Sequence, residues 1–166
     1  PEQIPVTGLS RWDILQDKAD PAHPSILIMP TWRSWLEDQT DEAFCQSSYY
    51  REYAALLNDQ ELRTFLHQTH TELIFYIHPK LREYISAFHI KDPQIHLIPF
   101  GSIPLDQLIM RCSMLITDYS SVSWDFYYLG KPILFYQFDL EKYNETNGSY
   151  IDMEKELFGD RCMTRE

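Results

Sequence analysis

The sequence predicts an α/β fold in which short parallel strands alternate with helices. Five short apolar runs are separated by segments whose apolar residues have helical spacing, and this alternation is typical of a sheet built from strand–helix–strand units. The length of 166 residues fits one domain, and a hydrophobic fraction of 44% is sufficient for a packed core. No apolar run approaches the ~18 residues that a membrane-spanning helix needs.

The first part of the chain predicts an arm, one strand and two helices. Residues 1–24 are rich in proline and lack periodicity, so we interpret them as a connector or surface arm, and residues 25–166 as the domain. Because the chain opens on Pro1 rather than Met, we expect it to be a piece of a longer protein. The predicted elements are the strand Ser25–Met29, the loop Thr31–Asp41, and helical segments over Asp41–Leu57 and Asp59–Thr69.

In the remaining sequence, predicted strands again alternate with helices, and residues typical of helix ends mark their limits. Pro79 suits the first turn of a helix, and Gly130 suits the left-handed position that ends one. The predicted strands are Leu73–Ile77, Ile95–Pro99, Met114–Thr117 and Ile133–Tyr136, and the predicted helices are Pro79–Phe88, Leu105–Arg111 and Ser121–Leu129.

The turn after the fourth predicted strand is the strongest candidate for an anion site. Ser120 and Ser121 follow a buried strand and precede a helix, so the free N–H groups of the helix start would face an anion placed there. The alternative is that the serines only cap the helix, because serine is common at helix starts. Asp118 and Asp125 are expected to support the turn by accepting hydrogen bonds.

Further candidate ligand groups follow other strands of the predicted sheet. Arg33, His78 and Phe100 come after the first three strands, and carboxyl ends of parallel strands meet at one edge. A guanidinium suits phosphate, although Arg33 could instead form a surface salt bridge with Glu37 or Asp38. A nearby phosphate group would favour the protonated form of the His78 imidazole. The alternative is that His78 is structural, as a histidine beside a buried strand often is.

The motifs that carry these residues resemble those of the CDP-glycerol glycerophosphotransferase family, the teichoic acid polymerases and primases of Gram-positive bacteria. The central run is Leu-Ile-Thr-Asp-Tyr-Ser-Ser-Val, followed by an Asp-Phe pair and by Lys-Pro-Ile-Leu-Phe-Tyr. The matching segments are Pro30–Arg33, His78–Pro79, Leu115–Val122, Asp125–Phe126, Lys131–Tyr136 and Asp139–Tyr143.

This resemblance implies a fold, a reaction and a set of site residues. It implies a Rossmann-like sheet forming the nucleotide-binding half of a GT-B glycosyltransferase-like fold. The implied reaction transfers glycerol phosphate from CDP-glycerol to a hydroxyl of a growing polymer and releases CMP. The resemblance implies that His78, Pro79, Ser120 and Ser121 bind the donor, with His78 also catalytic. We add Arg33 and Phe100 to the donor-binding set because of their positions at strand ends.

The resemblance also implies parts that lie outside this sequence. We expect an amino-terminal acceptor domain, a polyol-phosphate acceptor chain as partner, and membrane contact through other parts of the protein. The expected location is cytoplasmic, peripheral on the inner face of a bacterial plasma membrane.

Composition and spacing exclude several other classes of function. The formal net charge of −11 argues against a nucleic-acid surface. No carboxylate or histidine cluster has metal-ligand spacing, so we expect neither a metal nor another cofactor. Cys45, Cys112 and Cys162 are far apart, and we assign them no redox role.

Two alternative functions follow from the same motifs. Departures from the family pattern, such as Cys112-Ser113 before the fourth strand, leave open a ribitol-phosphate or sugar donor linked to CMP, CDP or UDP. A phospho-acceptor receiver domain is the other alternative, suggested by Asp118 and Lys131-Pro132. The position of Lys131-Pro132 before a strand, rather than after the fifth, argues against it.

Overall fold

One six-stranded parallel sheet organises the protein. The computed structural model describes residues 7–149 and 151–165. The strands are β1 Ser25–Ile28, β2 Glu72–Tyr76, β3 Ile95–Ile98, β4 Met114–Thr117, β5 Ile133–Tyr136 and β6 Asp160–Cys162. Every neighbouring pair is parallel, and the order is β3-β2-β1-β4-β5-β6. This order is that of a doubly wound nucleotide-binding sheet, so the predicted α/β fold is confirmed.

Helices and single turns connect the strands. The α-helices are α1 Asp41–Cys45, α2 Ser48–Leu57, α3 Gln60–Thr69, α4 Leu105–Arg111, α5 Ser123–Tyr128 and α6 Leu140–Thr146. In the described residues, 3₁₀ helices span Ser10–Ile14, Ser34–Leu36 and Pro79–Ala87.

Some predicted boundaries differ from the structure for local reasons. The helical stretch predicted over Asp41–Leu57 divides because Ser47 caps α2, accepting a hydrogen bond from the Tyr50 amide at 3.1 Å. The segment after His78 forms a 3₁₀ helix instead of an α-helix. The predicted helix Ser121–Leu129 begins two residues late and is six residues long, because the chain after Ser120 forms a turn.

The sheet is buried on both faces, which explains the continuous apolar runs in its strands. In β1, Ile26 and Ile28 pack into one core, whereas Leu27 packs into the core on the opposite face. The side chains of β2 divide in the same way, with Phe75 on the first face and Ile74 on the second. The sheet therefore separates two cores, and its carboxyl edge is where connecting loops are free to form a site.

The described part of the first 24 residues, here called the N-terminal arm (residues 7–24), packs against α4 and α5. Leu15 is buried, and the Trp12 ring stacks on Tyr128 with centroids 4.7 Å apart. The Lys18 amide donates to the Met110 carbonyl at 2.9 Å. These contacts hold the arm on the face of the sheet that α4 and α5 cover.

Lys131 joins the end of α4 to the arm. Its ammonium group is buried and donates to the carbonyls of Ile109, Met110 and Cys112 at 2.9, 2.7 and 2.8 Å, and it lies 3.0 Å from an Asp17 carboxylate oxygen. The lysine therefore satisfies carbonyl groups that α4 leaves without partners at its carboxyl end.

We expect Lys131→Met to lower the free energy of unfolding by about 2–4 kcal/mol, because buried carbonyls would lose a charged donor. Urea unfolding followed by circular dichroism measures the change. Lys155→Met is the matched control, since the side chain of Lys155 is 80% exposed. Equal stability of the two variants would contradict a structural role for Lys131.

Candidate functional site

A cavity of about 380 Å³ lies at the carboxyl edge of the sheet, between the strand-end loops, the N-terminal arm and α4. The loops after β2 and β4 contribute His78, Ser120 and Ser121. Two of the predicted donor-binding elements therefore face one space. The other residues that line the cavity are Arg11, Ile14, Leu15, Met29, Leu105, Asp106, Ile109, Val122 and Asp125.

His78 is half-buried and has an altered proton affinity. Its Nδ1 atom accepts a hydrogen bond from the Lys80 amide at 3.3 Å, which fixes the ring at the start of the 3₁₀ helix. Burial and the neighbouring Lys80 ammonium lower the pKa of His78 below 6.5, and the Glu37 carboxylate opposes this effect. The lowered pKa therefore favours the neutral form of His78 at pH 7.

The Ser120–Ser121 turn is held mainly by its backbone. The Ser123 amide donates to the Ser120 carbonyl at 3.1 Å, and the Ser123 hydroxyl donates to the same oxygen at 2.8 Å. The Ser120 hydroxyl accepts only a long bond of 3.4 Å from the Val122 amide. Ser120 is not the cap of α5, since Val122 is the residue before the helix. The expectation of free N–H groups at the helix start is also wrong, because the amides of residues 123–126 donate to the carbonyls of residues 120–122. The turn leaves both serines at the cavity wall.

The same turn borders a second, smaller cavity of about 160 Å³. Its walls are largely aromatic and apolar, with Phe135 and Phe158 among them. Ser120 and Ser121 therefore lie between two spaces, and the larger one also contains His78.

Arg33 does not reach the cavity, and this corrects the sequence-based interpretation of the residue. Its side chain is fully buried, and Nε and Nη2 bind both carboxylate oxygens of Asp139 at 2.8 and 2.9 Å. Nη2 also donates to Asp118 at 2.8 Å, and Nη1 donates to the Thr31 carbonyl. The alternative of a surface salt bridge with Glu37 or Asp38 is also wrong. We assign Arg33 a structural role.

Two neighbouring carboxylates keep the buried Arg33 guanidinium charged by raising its pKa. Burial alone would lower the pKa of the guanidinium, but Asp118 and Asp139 raise it well above its ordinary value. Asp118 also accepts hydrogen bonds from the Thr31 and Tyr119 amides at 2.8 and 2.6 Å. The ion pairs thus join the loops after β1 and β4 to the start of α6, directly beneath the serine turn.

Asp125 binds partners that the sequence did not indicate. We expected it to accept backbone or hydroxyl hydrogen bonds in the turn, but its Oδ1 atom accepts from Arg11 Nε at 2.7 Å and Trp12 Nε1 at 2.8 Å. Asp125 is buried, with a relative exposure of 3%. It therefore anchors the N-terminal arm beside the cavity.

Pro79 and Phe100 lie apart from the 380 Å³ cavity. Pro79 begins the 3₁₀ helix after His78 and borders a different depression with Lys80 and Arg82. Phe100 is 47% exposed, and its ring is 6.1 Å from that of Tyr76. Neither residue lines the cavity that His78 and Ser120 share. The predicted contacts of Pro79 and Phe100 with the donor therefore stay predictions, and the cavity does not support them.

Sequence reasoning missed Arg11, Asp106 and Asp139. Asp139 lies in a motif that the family resemblance covers, and this was the available signal. Arg11 lies in an arm without periodicity, where no local pattern marks a site residue. Within residues 7–149 and 151–165, no group of three or more histidine, cysteine, aspartate or glutamate side chains could hold a metal ion.

The strand order and the cavity at the carboxyl edge define a Rossmann-like, doubly wound α/β domain. The family model of CDP-glycerol:poly(glycerophosphate) glycerophosphotransferase matches residues 8–166, and the chain belongs to this family.

Curated relatives agree with this assignment, and a solved structure shares the fold. The chain is 33% identical over 168 residues to the minor teichoic acid biosynthesis protein GgaB of Bacillus subtilis (strain 168), covering 96% of this chain and 18% of that protein. It is 34% identical over 169 residues to the teichoic acid poly(glycerol phosphate) polymerase of the same strain, covering 95% and 19%. The structure of the wall teichoic acid polymerase TagF superposes with a TM-score of 0.66 at 20% identity, covering 89% of this chain and 33% of that one.

The chain thus spans about a fifth of the length of these two curated relatives. In the part of the chain that the structure describes, no helix is both long and apolar enough to cross a membrane.

Proposed function

We propose that the protein transfers glycerol phosphate from CDP-glycerol to a hydroxyl of a growing poly(glycerol phosphate) chain, and that this domain holds the donor. The acceptor oxygen forms a bond to the outer phosphorus of the donor, and the bond from that phosphorus to the CMP oxygen breaks. CMP leaves with the bonding electrons, and the acceptor hydroxyl loses its proton to a base.

The observation that carries this proposal is the shared cavity of His78 and the Ser120–Ser121 turn in a chain of this family. A transferred phosphoryl group requires an oriented donor and charge stabilisation on the leaving phosphate. The serine hydroxyls and the imidazole can supply hydrogen bonds to phosphate oxygens from two sides of the cavity. Its volume of about 380 Å³ is in the range of small-molecule sites.

A nucleotide binding panel tests the proposal directly. Isothermal titration of the full-length protein with CDP-glycerol, CDP-ribitol, a UDP-sugar and CMP should give the lowest Kd for CDP-glycerol. A turnover assay with a poly(glycerol phosphate) primer should then release one CMP for each glycerol phosphate added. A preference for CDP-ribitol or the UDP-sugar would assign the site to the alternative donors instead.

We expect His78→Asn to lower kcat by at least about 100-fold, because it removes the group that stabilises the leaving phosphate. Donor binding by the unmodified protein should also take up a proton at pH 7. The lowered pKa of His78 favours the neutral form before binding, and a bound diphosphate, which carries two negative charges, favours the charged form. The affinity for CDP-glycerol should therefore rise as the pH falls from about 8 towards 6.

Titrations in buffers of different ionisation enthalpy measure this proton uptake, which His78→Asn should abolish. His89→Asn is the matched control, because His89 is exposed and lies outside the cavity. If His78→Asn keeps its activity and instead loses many degrees in Tm, the residue is structural.

The remaining parts of the proposal concern the whole protein. An acceptor-binding domain would supply the other side of the reaction cleft and the base. A peripheral location on the inner face of the bacterial plasma membrane would place this domain near a membrane-bound acceptor. We propose that other parts of the protein make the membrane contact, since the net charge of −11 disfavours adhesion of this part to anionic lipid.

A further inference from the structure

A diphosphate donor favours a permanent positive charge at its site, and the arginine expected there from the sequence is not accessible. Arg33 is fully buried against Asp118 and Asp139. Lys80 lies outside the 380 Å³ cavity, 4.1 Å above the Trp32 ring and 2.6 Å from a Glu37 carboxylate oxygen. Among the described residues that line the cavity, Arg11 is the only arginine or lysine.

The guanidinium of Arg11 is held in place from one side. Its Nε atom donates to Asp125 at 2.7 Å, and the same carboxylate oxygen accepts from Trp12 at 2.8 Å. Trp12 is fixed in turn by its stacking on Tyr128, with an angle of 12° between the ring planes. The side chain of Arg11 is nevertheless 48% exposed. Within the described residues, its two terminal nitrogens have no hydrogen-bond or ion-pair partner.

We propose that Arg11 binds the diphosphate of the nucleotide donor through its terminal nitrogens, while Asp125 and Trp12 keep the guanidinium in position. This inference rests on the proposed function, because it assigns a further residue to the same cavity. A guanidinium can bind one carboxylate through Nε and still present two N–H groups to phosphate oxygens. The N-terminal arm is thus part of the donor site.

The charges around the cavity make this contact important. Asp106 and Asp125 also line the cavity, and their carboxylates would repel a diphosphate. Arg11 offsets the charge of Asp125 and adds an attraction of its own. Its loss should therefore weaken anion binding by more than the loss of an isolated hydrogen bond.

The test compares Arg11→Gln with the unmodified full-length protein in binding CDP-glycerol. The Kd should rise roughly 10- to 100-fold, the range expected when a charge-assisted contact is lost. The dependence of Kd on salt concentration should also become less steep, because one positive charge no longer contacts the ligand. A purely structural role for Arg11 would leave this salt dependence unchanged. Arg11→Lys should recover part of the affinity, since it keeps the charge.

Arg51→Gln is the matched control, because it removes the same charge from an exposed position on α2. Unchanged affinity and salt dependence in Arg11→Gln would overturn the assignment of Arg11 and leave the donor site standing. Failure of the unmodified protein to bind any of the four nucleotides would overturn the proposed function, and the assignment of Arg11 with it. Melting curves of Arg11→Gln, Arg11→Lys and Arg51→Gln establish that the compared proteins are folded.

Discussion

Replacing Ser120 and Ser121 together by alanine should weaken CDP-glycerol binding by at least about 100-fold. Each hydroxyl can donate a hydrogen bond to a charged phosphate oxygen, and such bonds contribute roughly 1.5–3 kcal/mol each. The fold should be retained, because the turn is closed by the Ser123 amide and hydroxyl on the Ser120 carbonyl. The Ser120 hydroxyl makes only one long bond of 3.4 Å within the turn.

Isothermal titration of the double variant measures the loss of affinity, and circular dichroism with thermal melting measures stability. The control is the double variant Ser48→Ala/Ser86→Ala, which removes two exposed hydroxyls away from the cavity. An unchanged Kd for CDP-glycerol would mean that the serines serve only the turn. The proposed donor site would then lose its principal contact.

Arg33→Met should lower the free energy of unfolding by about 3–5 kcal/mol, the largest loss of stability that we expect from one substitution in this chain. Asp118 and Asp139 would keep their buried carboxylates without the guanidinium that binds them. The loops after β1 and β4 would lose their common anchor, so donor binding at the adjacent serine turn should weaken as well.

Urea unfolding gives the stability change, and Arg51→Met provides the exposed control. The triple variant Arg33→Met/Asp118→Asn/Asp139→Asn should regain part of the lost stability, because no unpaired charge then stays buried. A single Arg33→Met variant as stable as the control would show that the buried ion pairs contribute nothing to the fold.

The sheet could be predicted because its strands have strong local signals. The predicted bounds of β4 and β5 agree with the structure, since all their residues except Thr117 are apolar or aromatic and both strands are buried on both faces. β6 was not predicted, because Asp160–Cys162 has no apolar run. Its pairing with β5 comes from tertiary contacts, including Gly159, where a Cβ would approach the Ile133 carbonyl oxygen to 2.5 Å. The helix α6 was missed because only Leu140 and Tyr143 of it are buried.

The location of the site at the carboxyl edge of the sheet could be predicted, but the contacts of its residues could not. Strand order alone places His78 and the serine turn near each other, and the structure brings them to one cavity. The partners of Arg33 lie 85 and 106 residues away in sequence. Those of Asp125 lie 113 and 114 residues away. Contacts between residues so far apart in sequence cannot be predicted from local spacing. The sequence therefore could not show that Arg33 is buried and that Arg11 lines the cavity.

The N-terminal arm has a consequence for dividing this chain into functional pieces. A shorter protein that starts at Ser25 would keep every strand of the sheet, yet it would lose Arg11, Ile14 and Leu15 from the cavity lining. One side of the cavity would open to bulk water, and the buried Asp125 would lose both of its hydrogen-bond donors. The residues that form the sheet are therefore fewer than the residues that enclose the cavity.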